Sequence, residues 1–115
     1  MAAKKSCLSC LDTVKPVRDA LEVINGKWKL PVIISVAAGN ERFTDIQESI
    51  GIGPKILAKE LKELEQHKLI KRVVVDDYPV KILYKPEAYS DTLTPIIAAL
   101  KDWGLNHRKK IFEKE

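Results

Sequence analysis

The chain has 115 residues, a formal net charge of +4 and a pI near 9.1, with 45% hydrophobic and 31% charged residues. That length suits one domain with one modest core, and the mild basic excess favours an anionic partner such as nucleic acid. No apolar run approaches the roughly 20 residues that span a bilayer, and the opening MAAKKSCLSC lacks the long apolar stretch of a secretory signal, so a cytoplasmic protein with no membrane partner and resting, reduced cysteines is expected.

Residues 1–12 read as a flexible N-terminal arm, and 13–115 as a single domain. A first helix is expected from Pro16 to Asn25, because proline suits the first helical turn, with Val17, Leu21 and Ile24 making an apolar face widened by Ala20. Gly26 marks its stop. A second helix follows from Trp28 to Ala38, with Leu30, Ile33, Ile34 and Ala37 expected inside and Pro31 tolerated in the first turn. Trp28 reads as core rather than as a platform for a base.

Arg42 and Phe43 read as a short extended entry. Thr44-Asp45-Ile46-Gln47 has the capping-box pattern, so a third helix is expected to start at Asp45 and stop by Gly51. The turn Gly51-Ile52-Gly53 leads into a fourth helix from Pro54 to His67. Leu57, Leu61 and Leu64 recur at i, i+4 and i+7 as its core face. Leu69 to Asp76 and Val80 to Tyr84 then read as two strands around an Asp76–Pro79 turn. A final helix is expected to begin between Tyr89 and Thr92, with an apolar stripe of Leu93, Ile96, Ile97, Leu100 and Trp103 and an interruption at Gly104.

The order helix, turn, helix, hairpin is a helix-turn-helix followed by a wing. The predicted class is α+β, mainly α: a winged helix-turn-helix with a two-stranded β-wing and terminal dimerisation helices. Such a fold puts one helix into the major groove, with the N-terminal residues of that helix at the base edges. Lys55, Ala58 and Lys59 are placed for that, and Lys62 lies nearer a phosphate. Lys81 would project from the wing toward the backbone or minor groove, with Arg72 a weaker candidate. Arg42 and Lys27 are candidate phosphate contacts, which position a protein without reading sequence. Glu60, Glu63 and Glu65 leave open a plainer alternative, a solvated helix face of Lys–Glu pairs.

A set of short pieces carries a family likeness: Pro16-Val17, Ala20-Leu21, Gly26-Lys27-Trp28-Lys29-Leu30, Arg42-Phe43, Gly51-Ile52, Lys55 with Leu57, Leu61-Lys62-Glu63-Leu64-Glu65, Pro79, Lys81, Tyr84, Pro95 and Trp103-Gly104. In order and spacing the chain resembles the HxlR-type winged helix-turn-helix transcriptional regulators, relatives of the MarR superfamily, from about Pro16 to Gly104. The resemblance implies a sequence-specific DNA-binding regulator acting as a two-fold homodimer on palindromic double-stranded DNA. It implies no enzyme activity and no cofactor, and leaves any effector unidentified. There are departures. Lys15 stands where the family often has a sensing cysteine. Gly53-Pro54 replaces the usual polar pair opening the recognition helix, Pro86-Glu87 the usual Leu-Thr, and Ser90 a common glycine.

Cys7 and Cys10 form a C-x-x-C pair beside Lys4 and Lys5. They could be a redox switch, half of a metal site with His67 or His107, or two plain thiols; a zinc site would need further ligands that the sequence does not supply. The second hypothesis for the whole chain is a winged-helix protein–protein module that binds no DNA. A thiol oxidoreductase is a distant third, since no βαβ context accompanies the cysteines.

Overall fold

The computed structural model describes residues 11–113, so Cys7, Cys10 and most of the expected arm lie outside the described residues. Leu11–Thr13 is a 3-10 turn, followed by α1 (Val14–Ile24), α2 (Lys29–Ala37), α3 (Phe43–Ile50) and α4 (Pro54–Gln66). A hairpin of β1 (Ile70–Val75) and β2 (Lys81–Pro86) comes next, then a 3-10 segment, Ala88–Leu93, and α5 (Thr94–Phe112). The expected winged helix-turn-helix is therefore present.

The core gathers α2, α3, α4 and the base of the hairpin. Val32, Val36, Ile46, Ile52, Leu57, Leu61, Leu64, Leu69 and Ile70 are all buried in it, with Phe43, Trp28 and Tyr84 packed against its edge. The strands pair antiparallel, with Ile70 opposite Pro86 at the base and Val75 opposite Lys81 toward the tip. The Tyr84 N–H also donates to the Glu41 carbonyl at 2.7 Å, which anchors the hairpin to the segment entering α3.

Helices α2, α3 and α4 end in one way. A residue in the left-handed region follows each: Gly39 (φ 108°), Gly51 (φ 71°) and Lys68 (φ 63°). The next residue then donates back into the last turn: Asn40 to the Ser35 carbonyl at 3.2 Å, Ile52 to that of Gln47 at 3.3 Å and Leu69 to that of Leu64 at 3.0 Å. This Schellman closure satisfies carbonyls that the helix leaves free, and glycine is the usual occupant because it has no Cβ to clash. Lys68 holds the position without that advantage. At α3 and α4 the residue after it, Ile52 or Leu69, is driven into the core, and that burial holds the bend.

Four expectations are corrected. First, α3 starts at Phe43, not Asp45. Arg42 is its N-cap, in an extended conformation and without a side-chain cap, so Thr44 lies inside the first turn and closes no capping box. Phe43 packing onto the core draws the chain into helix earlier. Second, the buried face of α2 is Lys29, Val32, Ile33, Ser35 and Val36; Ile34 and Ala37 face outward. The helix is apolar on nearly every side, so a stripe shifted by one residue fits the sequence equally well.

Third, α5 runs through Gly104 without a break, and Leu93 belongs to the 3-10 segment before it. Pro95 sits in its first turn, where its missing N–H costs no helical bond. Fourth, α1 begins at Val14 rather than Pro16. Pro16 still falls among the first helical N–H positions, which have no intrahelical partner.

Candidate nucleic-acid interface

Helix α4 divides sharply. Leu57, Leu61 and Leu64 are at most 1% exposed, while Lys55, Ala58, Lys59 and Lys62 all lie exposed on the other side. Gly53 is the N-cap, extended and with no side-chain cap, and Pro54 follows in the first turn. The first N–H groups of α4 thus have no side chain folded over them, and the positive end of the helix dipole is left open to an anion. No acidic residue lies in that turn.

The lysines of this surface differ in their engagement. Lys59 Nζ lies 3.7 Å from Glu63 Oε2, an i,i+4 pair in which the lysine side chain stays 70% exposed. Such a solvent-screened pair holds the side chain loosely. Lys55 and Lys62 form no ion pair among the described residues. Lys27 lies with its Nζ 4.9 Å from the centre of the Trp28 ring, a cation–π contact at the start of α2. Trp28 is half-buried, packed against the core edge as expected.

Arg42 and Lys81 come from separate parts of the sequence, yet line one groove of about 270 Å³ between the start of α3 and the wing. Phe43, Pro79, Val80 and Ile82 form its apolar walls. Arg72 stands opposite Tyr84 on the hairpin, and Lys71 stands directly opposite Lys85. Asp76 and Asp77 lie exposed in the turn at the tip.

One charged cluster was missed from sequence. Lys29 is buried at 7% exposure and donates to Glu60 Oε1 at 2.7 Å and Glu63 Oε1 at 2.6 Å. Glu60 and Glu63 are thus not simply a solvated face of α4. Burial disfavours the charge on Lys29, but hydrogen bonds to Glu60 and Glu63 and their negative charge outweigh it and raise its pKa above the ordinary lysine value. The bond from Lys29 is also the main cause holding Glu63 below the ordinary glutamate value. The signal was available: Lys29 stands three, four and seven residues before Val32, Ile33 and Val36. Glu60 stands three after Leu57, and that spacing puts both on buried stripes.

The expected apolar stripe before and along α5 is split. Leu93 and Ile97 pack against the core, whereas Ile96, Leu100 and Trp103 are 44%, 49% and 67% exposed. Leu105, Ile111 and Phe112 extend the exposed side, and α1 adds Val14, Val17 and Leu21. Trp103 stacks on His107 with ring centres 4.8 Å apart. The radius of gyration is 17.8 Å, against about 13 Å for a compact chain of this length. Among the described residues no helix is long and apolar enough to cross a membrane, and no cluster of His, Cys, Asp and Glu could hold a metal.

The exposed basic helix, the wing beside it and the elements that orient both define a helix-turn-helix regulator. The model of the HxlR-like helix-turn-helix family matches residues 23–112, and the chain belongs to that family. It is 33% identical over 97 residues to the uncharacterized HTH-type transcriptional regulator YtcD of Bacillus subtilis, a match spanning 84% of this chain and 77% of that one. The redox regulator HypR in its reduced form superposes with a TM-score of 0.78 at 31% identity, covering 87% of this chain and all of HypR. Reduced YodB from B. subtilis, a transcriptional regulator, gives 0.71 at 28% identity over 90% of this chain and 95% of its own. The chain is thus a helix-turn-helix transcriptional regulator.

Proposed function

We propose that the protein is a homodimeric, sequence-specific DNA-binding regulator acting in the cytoplasm. Helix α4 enters the major groove with Lys55, Ala58 and Lys59 at the base edges and Lys62 at a phosphate, and the wing lies along the backbone or minor groove through Lys81. The observation that carries this is the division of α4: a leucine face wholly in the core and an exposed basic face, beginning at an N-terminus without a side-chain cap. The groove shared by Arg42 and Lys81 supports a phosphate seat beside it. Lys27, engaged with Trp28, serves as an outer phosphate contact.

The exposed apolar sides of α1 and α5 support the homodimer. Each large side chain removed from water contributes roughly 1.5–3 kcal/mol, and Ile96, Leu100 and Trp103 are free to be covered by a second copy. Two recognition helices about one helical turn (~34 Å) apart would read a palindromic duplex. The test is fluorescence anisotropy with a duplex selected from a random pool, across a range of salt. Lys55→Ala with Lys59→Ala should lower affinity for the selected duplex, and Lys62→Ala should lower the salt slope by about 0.9; unchanged affinity and slope in all three would remove α4 from the interface.

HypR is a redox regulator. In this chain a redox response would fall to Cys7 and Cys10, its two cysteines. Mild oxidation followed by mass spectrometry and DNA titration tests it, and equal affinity in both states rejects it.

A further inference from the structure

We infer that Lys29 is a positioning residue for DNA recognition: from α2 it clamps Glu60 and Glu63 and so sets the rotation of α4 about its own axis. This rests on the proposed reading of α4 as the recognition helix. The buried charge is the starting observation. Lys29 is the one charged residue among the buried side chains described, and it reaches across to two carboxylates on a helix 31 and 34 residues further along. The Lys29 side chain is 8% exposed and that of Glu60 12%.

Stability alone does not call for a lysine there. Buried ion pairs replaced by well-packed apolar side chains often leave a protein equally stable or more so. What the ions add is direction. Leu57, Leu61 and Leu64 pack through apolar contacts, which are non-directional. The hydrogen bonds of the clamp are directional. Residues three apart are offset by about 60° around a helix, so one ammonium bonded to both Glu60 and Glu63 favours the azimuth that presents both carboxylates to it. With side-chain tips about 5–6 Å from the axis, a roll of about 20° moves them about 2 Å, and the two bonds then persist only if these side chains leave their present rotamers. The same roll would carry Lys55 and Lys59 off their base edges. Glu63 links the two ends of this chain of contacts: its Oε1 accepts from Lys29 and its Oε2 faces Lys59 at 3.7 Å.

The test compares the affinity of the full chain for a duplex selected from a random pool with its affinity for a shuffled duplex of the same composition. The ratio cancels changes in overall charge. Lys29→Met should lower the ratio at least tenfold in a protein that remains folded. The triple variant Lys29→Met, Glu60→Met, Glu63→Met replaces the clamp with apolar packing; it should regain the wild-type thermal midpoint and still show the tenfold loss, which a merely stabilising role would not produce. A ratio within threefold of wild type in that triple variant overturns the proposal. Should neither methionine variant fold, Glu60→Ala, which removes one acceptor of the clamp, decides by the same threefold limit. If Lys55→Ala with Lys59→Ala lowers the ratio while the Lys29 variants do not, the clamp fails and α4 stands as the reader. If the wild type binds no duplex, both fall together.

Discussion

The Lys85 ammonium lies 3.1 Å from Glu41 Oε2, tying the base of the wing to the segment that enters α3. Both side chains are about two-fifths exposed, at 39% and 41%, so solvent screens the pair and its worth is about 0–1 kcal/mol. The Tyr84 N–H to the Glu41 carbonyl does not depend on the Glu41 side chain. Glu41→Gln should therefore change unfolding stability by less than about 1 kcal/mol. A loss above about 2 kcal/mol in urea titration would mean that the side chain, not the backbone bond, anchors the hairpin.

Leu61 is 1% exposed at the centre of the α4 face. Leu61→Ala should cost about 2–5 kcal/mol from reduced burial plus the cavity left behind. Urea titrations at two protein concentrations make the measurement clean, because the proposed dimer would tie the midpoint to concentration. A loss below about 1 kcal/mol would mean that α4 repacks freely over the core.

The leucine stripe of α4 and the valine-rich hairpin were legible in sequence because each has one strong period. The i, i+4, i+7 spacing of Leu57, Leu61 and Leu64 admits a single face, and the structure buries that face. The face of α2 differs from expectation because every residue from Leu30 to Val36 except Ser35 is apolar, so no single stripe stands out. The stripe that begins at Leu30 leaves Lys29 outside, whereas the stripe that is buried includes it and forms the clamp. The start of α3 was misplaced because a side-chain pattern at Thr44 and Gln47 was weighed above the pull of Phe43 on the backbone. Arg42 and Lys81 were each singled out, but their shared groove is a product of tertiary packing and has no signature along the chain.

That groove predicts coupling. Arg42 and Lys81 line the same wall-to-wall space, so their contributions to DNA affinity should not add. The double substitution Arg42→Ala, Lys81→Ala should lower log K by less than the sum of the two single effects, as measured by anisotropy at fixed salt. Strict additivity would place the two cations on separate phosphates.

Trp103 is 67% exposed and stacked on His107. If a second copy covers α5, Trp103→Glu puts a charge into that apolar interface and should shift sedimentation from dimer to monomer at micromolar concentration, with helix content kept. An unchanged sedimentation coefficient would place the interface elsewhere.

The clamp also predicts how stability follows pH. Glu63 has a lowered folded pKa, set chiefly by the bond from Lys29. Its contribution is therefore present above the ordinary glutamate value and is lost as pH falls through the lowered one. On Lys29, burial works against the charge but is outweighed by the bonds to Glu60 and Glu63, and the folded pKa is raised. Its contribution is present below the ordinary lysine value and is lost as pH rises through the raised one. Denaturation across pH should show a plateau between these limits, and Glu63→Gln should flatten the acid limb. An identical acid limb in the variant would show that Glu63 adds nothing through its charge.

The left-handed turn at Lys68 has a mechanical consequence. Only His67, Lys68 and Leu69 separate α4 from β1, and all three donate backbone bonds into the last turns of the helix, to Glu63, Glu65 and Leu64. Helix and hairpin are therefore welded end to end, like the two jaws of a fixed gauge. Tilting one must tilt the other. On the proposed mode of binding, a duplex whose grooves are unusually wide or narrow would have to bend to the gauge or be refused by it.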